Sequence, residues 1–211
     1  RSLLPNRIFV FGQRDKDILM RASFLPEDKI SIIGNAYLDY VYQQKLDKYS
    51  TAVLTFCFTA QDIEISDTIK WLNTILEVHK ECQFLFIPRR LPISAYYKNG
   101  LNRKWVTSDD DTYITMARSS IHLSLYSTCG LEAIALNTPT VLMNIAGHAR
   151  LHFMPESQSL QSLHCIDTSK EFEKFDFRSF SKVLQSGSSE AEWLYKRDYE
   201  RSLQEALESS K

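Results

Sequence analysis

This chain has few of the residues that punctuate and staple proteins. Its 211 residues include 6 glycines, 6 prolines and 4 cysteines. Cys57, Cys82, Cys129 and Cys165 stand far apart and form no C-x-x-C pair, so neither a zinc site nor a disulfide framework is suggested. Cys57 and Cys82 lie in or beside apolar runs, which gives them a packing role and fits a reducing cytoplasm. No run of about 18 apolar residues occurs, so nothing reads as a transmembrane segment. No signal peptide is visible. The formal net charge is -1 and basic residues are dispersed, so nothing favours nucleic acid or an anionic membrane. There is no P-loop and no G-x-G-x-x-G, which leaves ATPase and dehydrogenase readings without support. Ser124-Leu125-Tyr126-Ser127 is not a G-x-S-x-G elbow. The first residue is Arg1, and a fragment of a longer chain is expected.

What is present is an ordinary soluble composition, 44% hydrophobic and 24% charged, in a length that suits one large domain or a domain with an appendage. Ile8–Phe11 and Ile30–Ile33 read as short strands around a helical Asp15–Ala22, and Leu38–Gln44 as a short helix. A regular alternation follows. Ala52–Phe58, Phe84–Ile87, Lys104–Thr107, Ile121–Leu125, Thr140–Met143 and Leu163–Ile166 read as strands. Between them, Ser66–Glu81 carries Ile65, Ile69, Leu72, Leu76 and His79 on one helical stripe. Thr112–Arg118 and Thr128–Leu136 are further helices, and Pro92–Gly100 is ambiguous. This alternation predicts an α/β fold, a Rossmann-like parallel sheet with helices on both faces. Ser169–Lys174 and Phe177–Leu184 read as short helices. Ser189–Glu208 reads as one long C-terminal helix striped by Ala191, Tyr195, Tyr199, Leu203 and Ala206.

The stretch Ile121–Gly147 is the most informative. It reads as strand, tight turn, helix and strand, with Ser127 and Thr128 at the turn. In open α/β sheets ligands sit at the carboxyl ends of the strands, where helix N-termini favour anions. Ser127 or Thr128 would cap the helix. Gly130 falls in its first turn, where glycine costs roughly 1 kcal/mol against alanine. Close approach of a ligand to bare backbone would offset that cost. Glu132 lies five residues after Ser127 and four after Thr128, whereas a capping box needs three. A carboxylate only accepts hydrogen bonds, so beside a phosphate it needs a paired donor such as a ribose diol. The alternative is an ordinary capped helix carrying a glutamate; the whole arrangement, on a late strand edge, favours a ligand site.

YSTCGLEAIALNTPTVLMNIAG resembles the C-terminal domain of glycosyltransferases of the GT-B fold. The likeness is strongest to bacterial capsule and surface-polysaccharide enzymes, where a Ser-Thr pair precedes a helix containing Leu-Glu-Ala. PNRIFVFGQRDKDILMRASFLPEDKISIIGNAYLDY is similar to the segment that leaves the first domain of such enzymes and enters the second. The resemblance implies that residues 1–48 end a first domain, residues 49–188 bind a nucleotide sugar, and residues 189–211 form a helix crossing back. It places the donor's diphosphate on Ser127 and Thr128 and its ribose on Glu132, with the base near the backbone of Val106–Ser108, including Thr107. The donor would be UDP- or CMP-linked and bound without an obligatory metal or other cofactor. A glycan or lipid-linked acceptor and the catalytic base would come from the first domain, and no catalytic residue is assigned here. The location implied is cytoplasmic, with peripheral attachment at the inner face of a membrane as a variant.

The chain departs from that pattern. Many relatives carry His-Pro after the strand matching Phe84–Ile87, whereas this chain has Pro88-Arg89-Arg90. Arg89 can hold a phosphate by a bidentate contact, but it cannot replace an acid histidine. The loop Thr59-Ala60-Gln61-Asp62 lacks the glycines frequent there. His148 and Arg150 follow Gly147 and could reach donor phosphate or sugar; the alternative is a solvated loop. Asp109-Asp110-Asp111 reads as helix capping by Ser108 or Asp109 rather than as a metal site. His79, His122 and His164 read as structural. Two rival functions remain: a nucleotide-sugar 2-epimerase of the same architecture, and a non-catalytic interaction module.

Overall fold

A computed structural model describes residues 5, 7–22, 25–184 and 189–209. Six parallel strands form its centre: β3 (Thr55–Thr59), β4 (Gln83–Ile87), β5 (Trp105–Thr107), β6 (Ile121–Ser124), β7 (Thr140–Met143) and β8 (Leu163–Ile166). They lie in the order β5-β4-β3-β6-β7-β8. The chain starts in the middle, winds out to one edge, returns beside its first strand and winds out to the other. This is the doubly wound order, and it leaves a crevice between β3 and β6 where the direction reverses.

Both faces of the sheet are covered, which is why its strands read as unbroken apolar runs. Phe56 and Phe58, Ile121 and Leu123, and Val141 and Met143 point to one side. There they pack against α3 (Ile65–Val78), α4 (Ile93–Lys98), α8 (Ser169–Lys174) and α9 (Phe177–Phe180). Cys57 and Leu142 point to the other side. That side is covered by α2 (Ala36–Gln43), α5 (Thr112–Arg118), α6 (Cys129–Ala135), α7 (His148–Ser159) and α10 (Ser189–Leu194). The ambiguous segment Pro92–Gly100 thus contains a helix, α4. No helix among the described residues is long and apolar enough to cross a membrane.

Ahead of the sheet, β1 (Ile8–Val10) and β2 (Ile30–Ile32) pair in parallel around α1 (Gln13–Ala22). Arg14 of α1 reaches Glu156 of α7 with Nε at 2.8 Å and Nη2 at 2.6 Å, tying this unit to the main sheet.

Two expectations need correction. The chain ends in a helix, α11 (Tyr199–Glu208), but the continuous helix expected from Ser189 is broken between Leu194 and Tyr199, where Asp198 takes a φ of 58°. The break lets the backbone of Leu194–Lys196 lie directly on Gly12 and Gly34. The residues after Gly147, read as a loop, form α7. Pro155 hid it, because proline breaks a helix interior. The chain kinks at Phe153 (φ -130°), so Pro155 falls in the first turn of a new helical segment, where it is tolerated. The boundary expected at residue 188 lies outside the described residues.

Candidate functional site

The carboxyl ends of β3, β4, β5 and β6 carry four loops that face the crevice. The loop after β3 reaches across it: Gln61 Oε1 accepts from the Tyr126 N–H at 2.7 Å. Asp62 and Glu64 hold positive φ values of 54° and 44°, so this loop makes its turns without glycine. Asp62 then organises the next loop. Its Oδ2 accepts from the Arg90 N–H at 3.0 Å and the Leu91 N–H at 3.3 Å, and its Oδ1 accepts from the Tyr96 hydroxyl at 2.9 Å. These bonds fix the backbone immediately after the exposed Arg89.

The β6–α6 turn lies opposite. Ser127 Oγ accepts from the Cys129 N–H at 3.3 Å, and Ser127 O accepts from Gly130 at 3.0 Å. Thr128 begins the helix geometrically, yet its side chain caps nothing. The Thr128 hydroxyl and the N–H groups of Ser127 and Thr128 have no partner among the described residues. The free donors at this turn therefore precede the helix. Gly130 has a different role from the one expected: a Cβ there would lie 3.2 Å from Thr140 Cγ2, so glycine lets α6 settle on β7. Its amide is already bonded, and it offers no bare backbone to a ligand.

Glu132 is largely buried, one turn below Thr128. Burial raises its carboxyl above the usual carboxylate range, opposed by hydrogen bonds donated by Cys129 and Tyr113. Burial likewise raises the Tyr113 hydroxyl, and the Glu132 charge adds to the shift. The thiol of Cys129 is pushed up by burial, while its Ser127 hydrogen bond and the positive field of Arg89 act against that. The field of Arg89 thus reaches the α6 turn from the loop after β4. Tyr195, the residue after α10, closes the far side within the field of Glu132.

On the β7 side, His148 and His152 flank Tyr126, with ring centroids 5.2 and 4.9 Å away. The i, i+4 histidine pair was hidden because α7 itself was not foreseen. Gln61, Tyr113 and Tyr126 were also missed; each is placed by a contact distant in sequence. Thr107 ends β5 at the outer strand of the same edge, its side chain exposed.

Comparison with known proteins bears on the fold. No protein-family model matches the chain, and no curated protein matches its sequence. Solved structures do match its shape. The UDP-GlcNAc 2-epimerase from Neisseria meningitidis bound to UDP-GlcNAc has a TM-score of 0.64 at 15% identity, over 97% of this chain and 61% of that one. The calicheamicin glycosyltransferase CalG4 has a TM-score of 0.56 at 12% identity, over 98% and 51%. The wall teichoic acid polymerase TagF has a TM-score of 0.52 at 13% identity, over 96% and 57%. The fold is that of one Rossmann-like half of a GT-B protein. The chain spans only 51–61% of the length of these three structures.

In this GT-B half two of the three aspartates, Asp110 and Asp111, are spent on structure. Asp111, rather than Ser108 or Asp109, caps α5 by accepting from the Tyr113 N–H at 2.8 Å. Asp110 pairs with Arg118 at 2.8 Å and accepts from the Tyr49 hydroxyl at 2.6 Å. His79, Glu81 and Cys82 hold ligand atoms within 4.8 Å of one another, but at the opposite edge of the sheet and in the positive field of Arg178, which disfavours a cation.

Proposed function

We propose that this chain is the donor-binding half of a GT-B glycosyltransferase, and that its crevice edge holds a nucleotide sugar, UDP- or CMP-linked. One observation carries the reading. Unspent donors of Ser127 and Thr128 adjoin Cys129, whose thiol feels the charge of Arg89, and the largely buried carboxyl of Glu132 sits one helical turn away. Donors and a guanidinium suit a diphosphate. A carboxylate suits the paired hydroxyls of a ribose. The same donors would stabilise the leaving phosphate as the sugar departs, without an obligatory metal. Thr107 would lie toward the base and His148 toward the sugar. On this reading β1, α1 and β2 adjoin a first domain that supplies a glycan or lipid-linked acceptor and the catalytic base.

The epimerase reading gains one specific observation: two histidines, rather than one, flank Tyr126 at this edge. The Neisseria protein of the same fold is itself an epimerase bound to UDP-GlcNAc. Conversion of UDP-GlcNAc to its C2 epimer by the chain joined to its first domain would select that reading over glycosyl transfer.

Titration with UDP, CMP and CDP tests the shared claim. A rise in melting temperature is expected with at least one of them. Thr128→Ala, Arg89→Ala and Glu132→Gln should each weaken binding about tenfold, the scale of one charge-assisted hydrogen bond. No response to any of the three nucleotides would reject both enzyme readings and leave an interaction module. Binding that is unchanged in Glu132→Gln would refute the ribose assignment alone.

A further inference from the structure

The opposite edge of the sheet holds a second, chemically distinct cavity. It has a volume of about 530 Å³ and lies at the amino ends of β3 and β6. Lys48, Arg178 and Lys182 line it, together with the hydroxyl residues Ser50 and Ser120, and among the described residues no carboxylate does. Among the described residues none of the three cations makes a salt bridge. Asp176 lies within the field of Arg178 but is committed to Ser179, at 2.6 and 3.0 Å. Glu81 belongs to the exposed turn beside His79.

Lys48 is the unusual member. Its ammonium donates to Ala117 O at 2.8 Å, Ser119 O at 2.7 Å, Asn137 O at 3.3 Å and Thr138 Oγ1 at 2.9 Å. All four partners are neutral. The charge is therefore hydrogen-bonded but not balanced, and burial lowers its pKa to about 8. A buried charge without a counter-charge is costly, and an anion nearby would offset that cost. The two hydroxyls are prepared for the same ligand. Ser50 Oγ accepts from the Ala52 N–H at 3.2 Å and the Val53 N–H at 3.1 Å, and Ser120 Oγ accepts from the Thr55 N–H at 3.1 Å. With their oxygens accepting, their O–H protons are left to donate elsewhere.

We propose that this cavity is a second anion site, taking inorganic phosphate or the phosphoryl group of a small metabolite, independent of the nucleotide edge. Arg178 and Lys182 make the direct contacts with the Ser50 and Ser120 hydroxyls, and Lys48 supplies field from below.

The test is thermal denaturation of the whole chain with inorganic phosphate, with glycerol 3-phosphate, and with chloride at matched ionic strength. Either phosphate probe should raise the melting temperature above chloride. The rise should persist in Arg89→Ala and disappear in the Arg178→Ala, Lys182→Ala double variant. Both of those side chains are exposed, so the unliganded protein should melt as the parent does. Lys182→Glu, a single reversal of charge, provides a second check and should abolish the rise. A stronger response to glycerol 3-phosphate identifies an esterified ligand, and a response to phosphate alone identifies the free ion. No rise above chloride, or an equal rise in the double variant, overturns the proposal whatever happens at the nucleotide edge.

Discussion

Gly34→Ala is expected to lower the melting temperature by about 10 °C. Gly34 has a φ of 83°, and a Cβ there would sit 2.2 Å from the carbonyl oxygen of Lys196. Leaving glycine at positive φ costs roughly 1 kcal/mol. Overpacking adds about 1–3 kcal/mol. For a chain of this size about 2–4 °C is lost per kcal/mol. The obstructing atom is backbone and cannot turn aside, because the segment that carries it is held on both sides. The Lys196 N–H donates to Phe11 O at 2.9 Å, and the Tyr199 N–H to Asp39 Oδ2 at 3.2 Å. Between them, Arg197 donates to Ala135 O and lies 3.5 Å over the ring of Tyr42. Gly12 meets the same strap at Leu194, where a Cβ would lie 2.1 Å from the oxygen. Gly100 is the control. Its φ is 98° but nothing lies within 4 Å of its Cβ position, so alanine there should lose only the backbone cost of roughly 1 kcal/mol. Equal melting temperatures for Gly34→Ala and Gly100→Ala would show that the strap yields and that the close approach does not constrain the fold.

The strap also shows where the sequence stops being informative. The stripe of Ala191, Tyr195 and Tyr199 has helical spacing, yet the helix stops at Leu194 and resumes only at Tyr199, after the positive φ at Asp198. Nothing local signals that Gly12 and Gly34, near the start of the chain, need bare backbone against them. The central strands are legible for the opposite reason. They are buried on both faces, so burial alone writes their composition. The candidate site divides in the same way. Ser127, Thr128 and Glu132 sit in one local turn, and their spacing shows that Glu132 is not a capping-box residue. Gln61, Tyr113 and His152 enter through contacts across the crevice, from α5 and from a helix disguised by Pro155. Gly130 was misread because its cause, the side chain of Thr140, lies on the neighbouring strand.

Acidification should destabilise the protein through one residue on the central strand beside the crevice. His122 is wholly buried on β6. Its Nε2 lies 3.0 Å from Thr59 Oγ1 and its Nδ1 lies 3.2 Å from Thr140 Oγ1. Thr140 already gives its proton to Gly130 O at 2.9 Å, so it must accept from Nδ1–H. That leaves Nε2 to accept from the Thr59 hydroxyl, and the network assigns a neutral ring. Burial holds the imidazole pKa down at about 3, against 6.5 in the unfolded chain. Between these values the unfolded state binds the extra proton, so stability falls as pH drops. At about 1.4 kcal/mol per unit, the full window amounts to roughly 5 kcal/mol, of which about 3 kcal/mol is lost by pH 4.5. Urea denaturation of the parent and of His122→Gln, at pH 7 and pH 4.5, isolates the effect. Carboxylates titrate in both proteins, so their contribution cancels in the difference. The parent should lose about 3 kcal/mol more than the variant over this interval. Equal losses would mean that His122 takes up its proton in the folded state as readily as in the unfolded chain, and that the polar ladder from Thr59 to Gly130 does not hold the ring neutral.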